Sequence, residues 1–205
     1  MALTLYTNPM SRGRIARWMM EEVGAPYDTV LLDYGTTMKA DDYLAVNPMG
    51  KVPAIRHDGR VVTECAAICA YMADAFPDAG LAPTAEERAD YYRWLFYAAG
   101  PVEAAISNRY LKVEVAPEQQ PMVGYGTYDT MVETLERAVS AHPYIAGDRF
   151  TAADVYVGSQ VMWGAMFGSL PTRDAFAAYA NRLMAREAYQ RARAIDDALM
   201  PPKED

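Results

Sequence analysis

Two stretches of the sequence carry residues that could bind a small anionic molecule at the start of a helix. Glu64-Cys65 comes directly before an apolar helical pattern, and main-chain amides at a helix start carry partial positive charge that suits a carboxylate. Ser11 stands where alternating hydrophobicity gives way to helical spacing. A hydroxyl at that point can cap its own helix or donate to an anion held beside it. Both stretches therefore predict helix-start binding positions.

The elements that must position these residues form a small α/β pattern over residues 1–77. Residues 3–6 alternate and predict a strand, and a helical pattern then runs from Ser11 to Gly24. Because a helix separates the first two strands, they are expected to be parallel. Asp58-Gly59 between two apolar runs predicts a hairpin. The other elements are a strand at 27–32, a short helix or irregular segment at 39–46, hairpin strands at 52–56 and 61–63, and a helix at 64–76.

Helical spacing dominates after a linker rich in Pro, Gly and Ala at 78–83. No further strand is expected, so residues 84–205 are predicted to form an all-α domain. Thr151 and Asp154 have the spacing of a capping box, in which each side chain bonds the main-chain amide of the other. The expected helices cover about 84–111, 118–141, 151–168, 172–182 and 186–198.

Composition and charge exclude several classes of function. The 205 residues carry 19 basic and 27 acidic side chains, a net charge of −8. Residues 1–80 hold 7 basic and 10 acidic side chains, which leaves 12 and 17 for residues 81–205, so neither part is a basic nucleic-acid module. No stretch approaches the roughly 20 apolar residues of a membrane span. The two cysteines, Cys65 and Cys69, predict neither a disulfide framework nor a zinc site. A cytoplasmic protein is expected.

Three segments resemble the glutathione transferases. Residues 47–55 are similar to the family's segment before its third strand, residues 63–68 to the start of its last N-terminal helix, and residues 150–154 to its capping box. The resemblance covers nearly the whole chain. It implies a thioredoxin-like α/β domain that binds glutathione as co-substrate, and an all-α domain that contributes an electrophile pocket. It also implies a homodimer that conjugates reduced glutathione to small hydrophobic electrophiles in detoxification, without a metal.

The resemblance assigns residues that bind glutathione. Val52-Pro53 would be a cis peptide that leaves the Val52 main chain free to pair with the cysteinyl part, although Pro53 could simply begin a strand. Glu64 would meet the ammonium of the γ-glutamyl group. Cys65 stands where the family has serine, a stronger hydrogen-bond donor. Two further candidates, Lys39 and Lys51, can equally be surface lysines.

Activation of the glutathione thiol needs a donor, because a free thiol has a pKa of about 8.5 and is mostly protonated at pH 7. Resemblance to the serine-type classes makes Ser11 that donor, although Ser11 also fits an ordinary N-cap. Tyr6 competes for the role through a likeness to the tyrosine-type classes, and it equally fits a half-buried strand aromatic. Asn8 is a third polar residue in the same turn that could donate to the thiol. Since no cysteine lies between residues 6 and 14, the thiol-transferase variant is not expected.

The electrophile should meet residues near the Ser11 turn and on the first long helix of the second domain. The candidates are Met10, Tyr97, Gly100, Glu103, Ser107 and Tyr110. Because a fold does not dictate function, a catalytically weak binding or interaction protein on the same scaffold remains an alternative. Glutathione-dependent isomerisation or peroxide reduction is another.

Overall fold

The chain begins with a strand, a helix and a second strand, as the sequence predicts. In this computed structural model, which describes residues 2–200, β1 (Leu3–Thr7) leads into α1 (Gly13–Val23) and then β2 (Asp28–Leu31). α1 ends at Val23 and is followed by Gly24, whose φ of 72° is left-handed and whose amide donates to the Met20 carbonyl at 2.9 Å. Glycine adopts this conformation without a steric penalty, which explains where the helix ends.

The sheet has four strands in the order β2-β1-β3-β4, where β3 is Ala54–His57 and β4 is Arg60–Thr63. β1 pairs with β2 in parallel, and the β1–β3 and β3–β4 pairs are antiparallel. The expected parallel pairing of the first two strands and the Asp58-Gly59 hairpin are thereby confirmed. Tyr6 is opposite Ala54, and Ala54 is opposite Thr63. One edge of the sheet therefore carries the ends of β1 and β4 and the start of β3, and we call it the site edge.

Helices pack on this sheet through apolar side chains. α3 (Cys65–Ala75) contacts α1, and both contain fully buried residues such as Met19 and Met72. The segment expected to be a short helix contains a 3-10 turn at Thr37–Lys39 and the helix α2 (Asp41–Leu44). A separate apolar cluster contains Leu32, Met38, Tyr43, Val46 and Ala54, with Tyr6 and Val52 packed against it. Together with the sheet, these elements form the thioredoxin-like α/β part of the chain.

The helix expected at 84–111 begins later and is interrupted, so that prediction was wrong in detail. α4 (Arg88–Tyr97) and α5 (Glu103–Tyr110) are separated by a π-helical turn, Ala98–Val102, that contains Pro101. Proline has no N–H and cannot donate to the carbonyl four residues earlier, here that of Tyr97. In the wider turn, the Glu103 amide donates to the carbonyl of Ala98, five residues earlier, which is the hydrogen bond of a π-helix.

The helix expected at 118–141 is also divided. Residues Pro117–Met122 form a 3-10 helix, and α6 spans only Tyr128–Ala141. Gly126 lies between them with a left-handed φ of 64°, and the Thr127 side chain then caps α6 by accepting from the Thr130 amide at 3.1 Å. The remaining helices follow the prediction closely and are α7 (Ala152–Met166), α8 (Asp174–Met184) and α9 (Glu187–Ala198).

The capping box at the start of α7 is confirmed. The Thr151 amide donates to Asp154 Oδ2 at 2.9 Å, and the Thr151 side chain accepts from the Asp154 amide. Asp154 Oδ1 accepts from the Ile145 amide and from the Tyr179 hydroxyl, each at 2.7 Å. Burial raises the pKa of Asp154 although these donors oppose the shift. One buried carboxylate thus joins the start of α7 to α8 and to the preceding loop.

Contacts group the chain into two compact units. One contains the described residues up to Leu81 together with those from Ala185 onward, and the other is Ala82–Met184. α9 belongs to the first unit, where Arg17 Nε donates to Asp196 Oδ1 at 2.7 Å. The domain limits expected from the sequence stay a prediction, and the structure adds that the last helix packs on α1. Within residues 2–200, no helix is both long enough and apolar enough to cross a membrane.

Candidate functional site

The turn between β1 and α1 is held by the side chain of Asn8. Asn8 is 6% exposed, its Nδ2 donates to the Leu32 carbonyl at 2.8 Å, and its Oδ1 accepts from the Met10 amide at 2.9 Å. Both ends of the side-chain amide are therefore engaged within the protein. Asn8 positions the turn on which Ser11 stands.

The Ser11 hydroxyl accepts one hydrogen bond and donates another within this turn. Its Oγ accepts from the amide of Gly13, the first residue of α1, at 2.9 Å and donates to the Asn8 carbonyl at 2.7 Å. The Asn8 carbonyl also accepts from the Ser11 amide at 3.1 Å. The hydroxyl proton can therefore turn towards a ligand without leaving that carbonyl unpaired. The hydrogen bond from the Gly13 amide and a role towards a bound sulfur are compatible for this side chain, but the N-cap residue of α1 is Arg12 and not Ser11.

Tyr6 faces away from the Ser11 turn. Successive residues of a strand point to opposite faces of the sheet, and Thr7 packs against Gly13 at the start of α1. The Tyr6 ring instead packs on the apolar cluster around Tyr43, with 5.6 Å between the two ring centroids. This position agrees with that of a half-buried strand aromatic.

The start of α3 has the features of an anion site. Glu64 precedes the helix with φ 64° and ψ 114°, a conformation that is strained for a residue with a side chain and that often occurs at ligand sites. The Glu64 carbonyl accepts the first helical hydrogen bond, from the Ile68 amide at 2.8 Å. The earlier amides of α3 have no partner inside the helix. The Glu64 side chain itself is exposed.

The Cys65 thiol connects this helix start to the Ser11 turn. Its Sγ donates to the Arg12 carbonyl over 3.7 Å, and the side chain is buried. The contact places the start of α3 beside the start of α1. Because Arg12 follows Ser11 directly, the contact places Cys65 close to the turn that carries Ser11.

The loop before β3 is held by Asn47 in the way that Asn8 holds the first turn. Asn47 Oδ1 accepts from the Met49 amide at 3.1 Å, and Nδ2 donates to the Lys51 carbonyl at 2.8 Å. The Tyr43 hydroxyl donates to the same carbonyl at 2.6 Å, and burial raises the pKa of Tyr43 to about 12. Lys51 thus contributes its main chain to the loop, while its side chain is exposed.

Lys39 is engaged with the same loop. Its Nζ donates to the Gly50 carbonyl at 2.9 Å and to the Met49 carbonyl at 3.3 Å. Gly50 has a left-handed φ of 55°, and a Cβ there would lie 2.7 Å from the Met38 carbonyl oxygen. Glycine is therefore required at this point. Lys39 supports the loop that presents Val52, which is a different role from direct contact with a ligand.

The Val52-Pro53 peptide bond is cis, as expected. Among residues 2–200, no hydrogen bond engages the main-chain amide or carbonyl of Val52. Because Ala54 pairs with Tyr6 and with Thr63, Val52 lies just beyond the ladder at the site edge. An unpaired main chain beside a strand end can bond an extended peptide.

The residues expected to bind the electrophile differ in exposure and in hydrogen bonding. Met10 is next to Ser11 and is 57% exposed. Glu103 accepts from Gln160 Nε2 at 2.7 Å and from the Tyr156 hydroxyl at 3.2 Å, so its carboxylate has partners within the helical unit. The Tyr97 hydroxyl donates to the Met131 carbonyl at 3.0 Å. Gly100 lies in the π-helical turn, and Ser107 and Tyr110 are exposed on α5.

Thr7 is a residue of this site that sequence reasoning missed. It is 0% exposed, and its Oγ1 has no hydrogen-bond partner among the described residues. A Cβ on Gly13 would lie 1.9 Å from Thr7 Oγ1 and 2.9 Å from Ser11 Oγ, so both hydroxyls lie against Gly13. The alternation of β1 indicates that Thr7 is buried with Leu5, but no sequence signal shows that its hydroxyl is unpaired.

Comparison with known proteins identifies the family. Residues 10–75 match the family described as glutathione S-transferase, N-terminal domain. The chain is 30% identical over 193 residues to glutathione S-transferase GST-4.5 of Xanthomonas campestris pv. campestris, which covers 85% of this chain and 90% of that protein. The chain belongs to the glutathione S-transferase family. Its similarity to glutathione S-transferase GstA of Escherichia coli O157:H7 is 28% identity over 194 residues, which covers 92% and 96% of the two chains.

Solved structures of the family agree with the fold. A glutathione transferase from Methylococcus capsulatus str. Bath is similar with a TM-score of 0.79 and 27% identity, over 96% of this chain and 100% of that one. A sphingomonad glutathione S-transferase, solved in complex with glutathione, is similar with a TM-score of 0.76 and 27% identity, over 95% and 98% of the two chains. The α/β part and the helical part are both those of a glutathione transferase.

Proposed function

We propose that this transferase conjugates reduced glutathione to small hydrophobic electrophiles, with Ser11 as the group that activates the thiol. The observation that carries the proposal is the convergence of three elements at the site edge. These are the Ser11 turn, the unpaired Val52 main chain and the start of α3 at Glu64-Cys65. They provide a hydroxyl, a main-chain segment that can pair with an extended peptide, and a helix start that can bind an anion, all within one unit of the chain.

Glutathione would lie along this edge as a short extended strand. The α-carboxylate of the γ-glutamyl group would bind the first amides of α3, where the partial charges of the helix favour an anion. The exposed Glu64 carboxylate would meet the ammonium of the same group. The cysteinyl amide and carbonyl would pair with the main chain of Val52. Lys39 would act by holding the loop of Gly50, and Lys51 through its main chain.

Ser11 would activate the thiol by turning its proton from the Asn8 carbonyl to the glutathione sulfur. The Gly13 amide would continue to donate to Ser11 Oγ, and a hydroxyl that accepts a hydrogen bond is itself a stronger donor. Hydrogen bonding to the charged form lowers the pKa of the thiol. The reactive thiolate would then be present at neutral pH.

The gain from thiolate formation alone is small. Lowering the pKa by about two units raises the thiolate fraction at pH 7 roughly 25-fold. Nucleophilicity falls with the pKa at a Brønsted slope of about 0.4–0.5, which leaves a net gain of only several-fold. Most of the acceleration must come from holding the electrophile beside the sulfur. The residues proposed for that task stay Met10, Tyr97, Gly100, Glu103, Ser107 and Tyr110.

Titration of bound glutathione tests this proposal. The thiolate absorbs in the ultraviolet, so its pKa can be measured in complexes with the wild-type protein, Ser11→Ala and Tyr6→Phe. Ser11→Ala should raise the pKa by about one to two units while glutathione affinity stays within a few-fold. Tyr6→Phe should leave the pKa of bound glutathione unchanged, because the Tyr6 ring packs on the apolar cluster that contains Tyr43. An unchanged titration in Ser11→Ala removes Ser11 from the role.

A second function is favoured by the two hydrogen bonds that Ser11 makes within its own turn and by Cys65 in the position of serine. Both are compatible with a protein that binds glutathione but conjugates it weakly. Turnover with a reactive aromatic halide distinguishes the two, because binding without turnover favours the second function. The homodimer and the cytoplasmic location stay predictions from the sequence.

A further inference from the structure

The hydroxyl of Thr7 has no hydrogen-bond partner among residues 2–200. Thr7 is the last residue of β1, and its carbonyl accepts from the Leu32 amide at 2.9 Å. Its side chain is fully buried, yet Oγ1 makes no hydrogen bond to any described residue. Buried hydroxyls are normally paired, and an unpaired one lowers the stability of the folded state. The unpaired Thr7 hydroxyl next to the Ser11 turn is therefore a candidate for a function at this site.

Gly13 brings this hydroxyl close to Ser11. The absence of a side chain at Gly13 leaves the space into which Thr7 Oγ1 projects, since a Cβ there would be only 1.9 Å away. The same Cβ would lie 2.9 Å from Ser11 Oγ, so both hydroxyls lie close to the position that a side chain at Gly13 would occupy. Gly13 also donates its amide to Ser11 Oγ. One glycine thus contacts both hydroxyls.

Ser11 Oγ can accept one more hydrogen bond. A serine hydroxyl has one proton and two lone pairs. In this structure the proton goes to the Asn8 carbonyl and one lone pair accepts from the Gly13 amide. Among residues 2–200, no second donor reaches Ser11 Oγ, which leaves one lone pair open. Hydrogen bonds at functional sites are often long without the ligand and shorten when it binds.

We propose that Thr7 is a positioning residue that acts on the glutathione thiol through Ser11. When glutathione binds, the Ser11 proton turns to the sulfur and the Thr7 hydroxyl donates to Ser11 Oγ. The Thr7 hydroxyl, which has no partner among the described residues, then gains one, and Ser11 becomes a stronger donor to the thiolate. No bond to carbon or sulfur is made or broken in this step. The inference rests on the proposed role of Ser11.

The test compares Thr7→Val, which has the same shape without the hydroxyl, with Thr7→Ser, which keeps the hydroxyl without the methyl group. Thr7→Val should raise the pKa of bound glutathione by roughly half a unit, a threefold smaller thiolate fraction, while the free protein becomes equally or more resistant to denaturant. Thr7→Ser should keep the wild-type pKa and lose stability. A residue that only packs would affect stability and leave the pKa unchanged.

A double-mutant cycle separates this inference from the proposed function. If Ser11→Ala raises the pKa and Thr7→Val does not, the role of Thr7 is overturned and that of Ser11 stands. If Thr7→Val shifts the pKa equally in the wild-type and Ser11→Ala backgrounds, Thr7 does not act through Ser11. If Ser11→Ala has no effect, both proposals are overturned. The expected result is a shift from Thr7→Val that disappears in the Ser11→Ala background.

Discussion

The thiol of Cys65 donates to the main-chain carbonyl of Arg12 across 3.7 Å, between residues 53 positions apart in the sequence. This contact joins the two helix starts on which the proposed site depends, one carrying Ser11 and the other carrying the proposed anion site. A buried thiol at this point is a weak donor. Whether the thiol itself matters for glutathione can be tested by substitution.

Cys65→Ser should keep or tighten glutathione binding. A hydroxyl is a better donor and acceptor than a thiol, and one added hydrogen bond contributes about 1 kcal/mol, or roughly fivefold in Kd. Calorimetric titration measures the change. Cys65→Ala is the matched control, since it keeps the helix amides and should bind nearly as the wild type does. A large loss of affinity in Cys65→Ser would contradict the proposed binding of the γ-glutamyl group at the start of α3.

Gly13→Ala should destabilise the protein although alanine is the better helix former. The added Cβ would meet Thr7 Oγ1 at 1.9 Å and Thr7 Cβ at 3.0 Å, and overpacking of this kind costs about 1–3 kcal/mol. Chemical denaturation provides the measurement. Gly100→Ala is the control, because a Cβ added at Gly100 would meet no atom within 4 Å. A Gly13→Ala protein as stable as the wild type would contradict the close approach of Thr7.

The Arg17–Asp196 pair should be needed to hold α9 against α1. Both side chains are almost fully buried, with 2.7 Å between Arg17 Nε and Asp196 Oδ1. Asp196→Ala leaves a buried guanidinium without its carboxylate, which typically costs about 3–5 kcal/mol. Asp197→Ala removes a neighbouring carboxylate that is 48% exposed and should cost less than about 1 kcal/mol. Equal effects of the two substitutions on denaturant unfolding would be evidence against this role.

Glu87 should make stability depend on pH in the acid range. Burial opposes ionisation, but hydrogen bonds from Arg149 and from the Thr84 amide prevail and lower the pKa of Glu87. The ionised carboxylate therefore stabilises the folded state above its ordinary pKa of about 4.5, and this contribution is lost as the pH falls towards the lower folded pKa. Glu87→Gln should cost on the order of 1 kcal/mol at neutral pH and flatten the dependence below pH 5.

Thermal unfolding of Glu87→Gln and wild type across this pH range measures the effect. Glu86→Gln is the control, because Glu86 is exposed and neighbours the same turn. Wild-type and Glu87→Gln curves that remain parallel down to pH 3 would exclude a contribution from this carboxylate.

The sequence predicts the α/β part well because its signals are local. Alternation in β1, the glycine at position 24 and Asp58-Gly59 are each sufficient to place an element. The helical part was less predictable at two points. The π-helical turn and the break before α6 have signals in Gly100-Pro101 and in Gly126, but periodicity alone favours continuous helices across both.

The candidate site was predictable as a set of residues and not as a set of hydrogen bonds. The Asn-Pro-Met tripeptide occurs at Asn8 and again at Asn47, and in both turns the asparagine side chain accepts from the amide two residues on. The repeated tripeptide therefore predicts an Asx turn at each of the two positions. The unpaired Thr7 hydroxyl and the Arg17–Asp196 pair depend on contacts between distant segments, which no local pattern contains.

Calorimetric titration of the full chain with reduced glutathione tests the proposed function most directly. We expect saturable binding at one site per chain, weakened at least about tenfold by Glu64→Ala because the ammonium of glutathione loses its carboxylate. Oxidised or S-methylated glutathione serves to separate recognition of the peptide from recognition of the thiol. No binding of glutathione at millimolar concentration would contradict the proposed function, since the fold would then be present without the site.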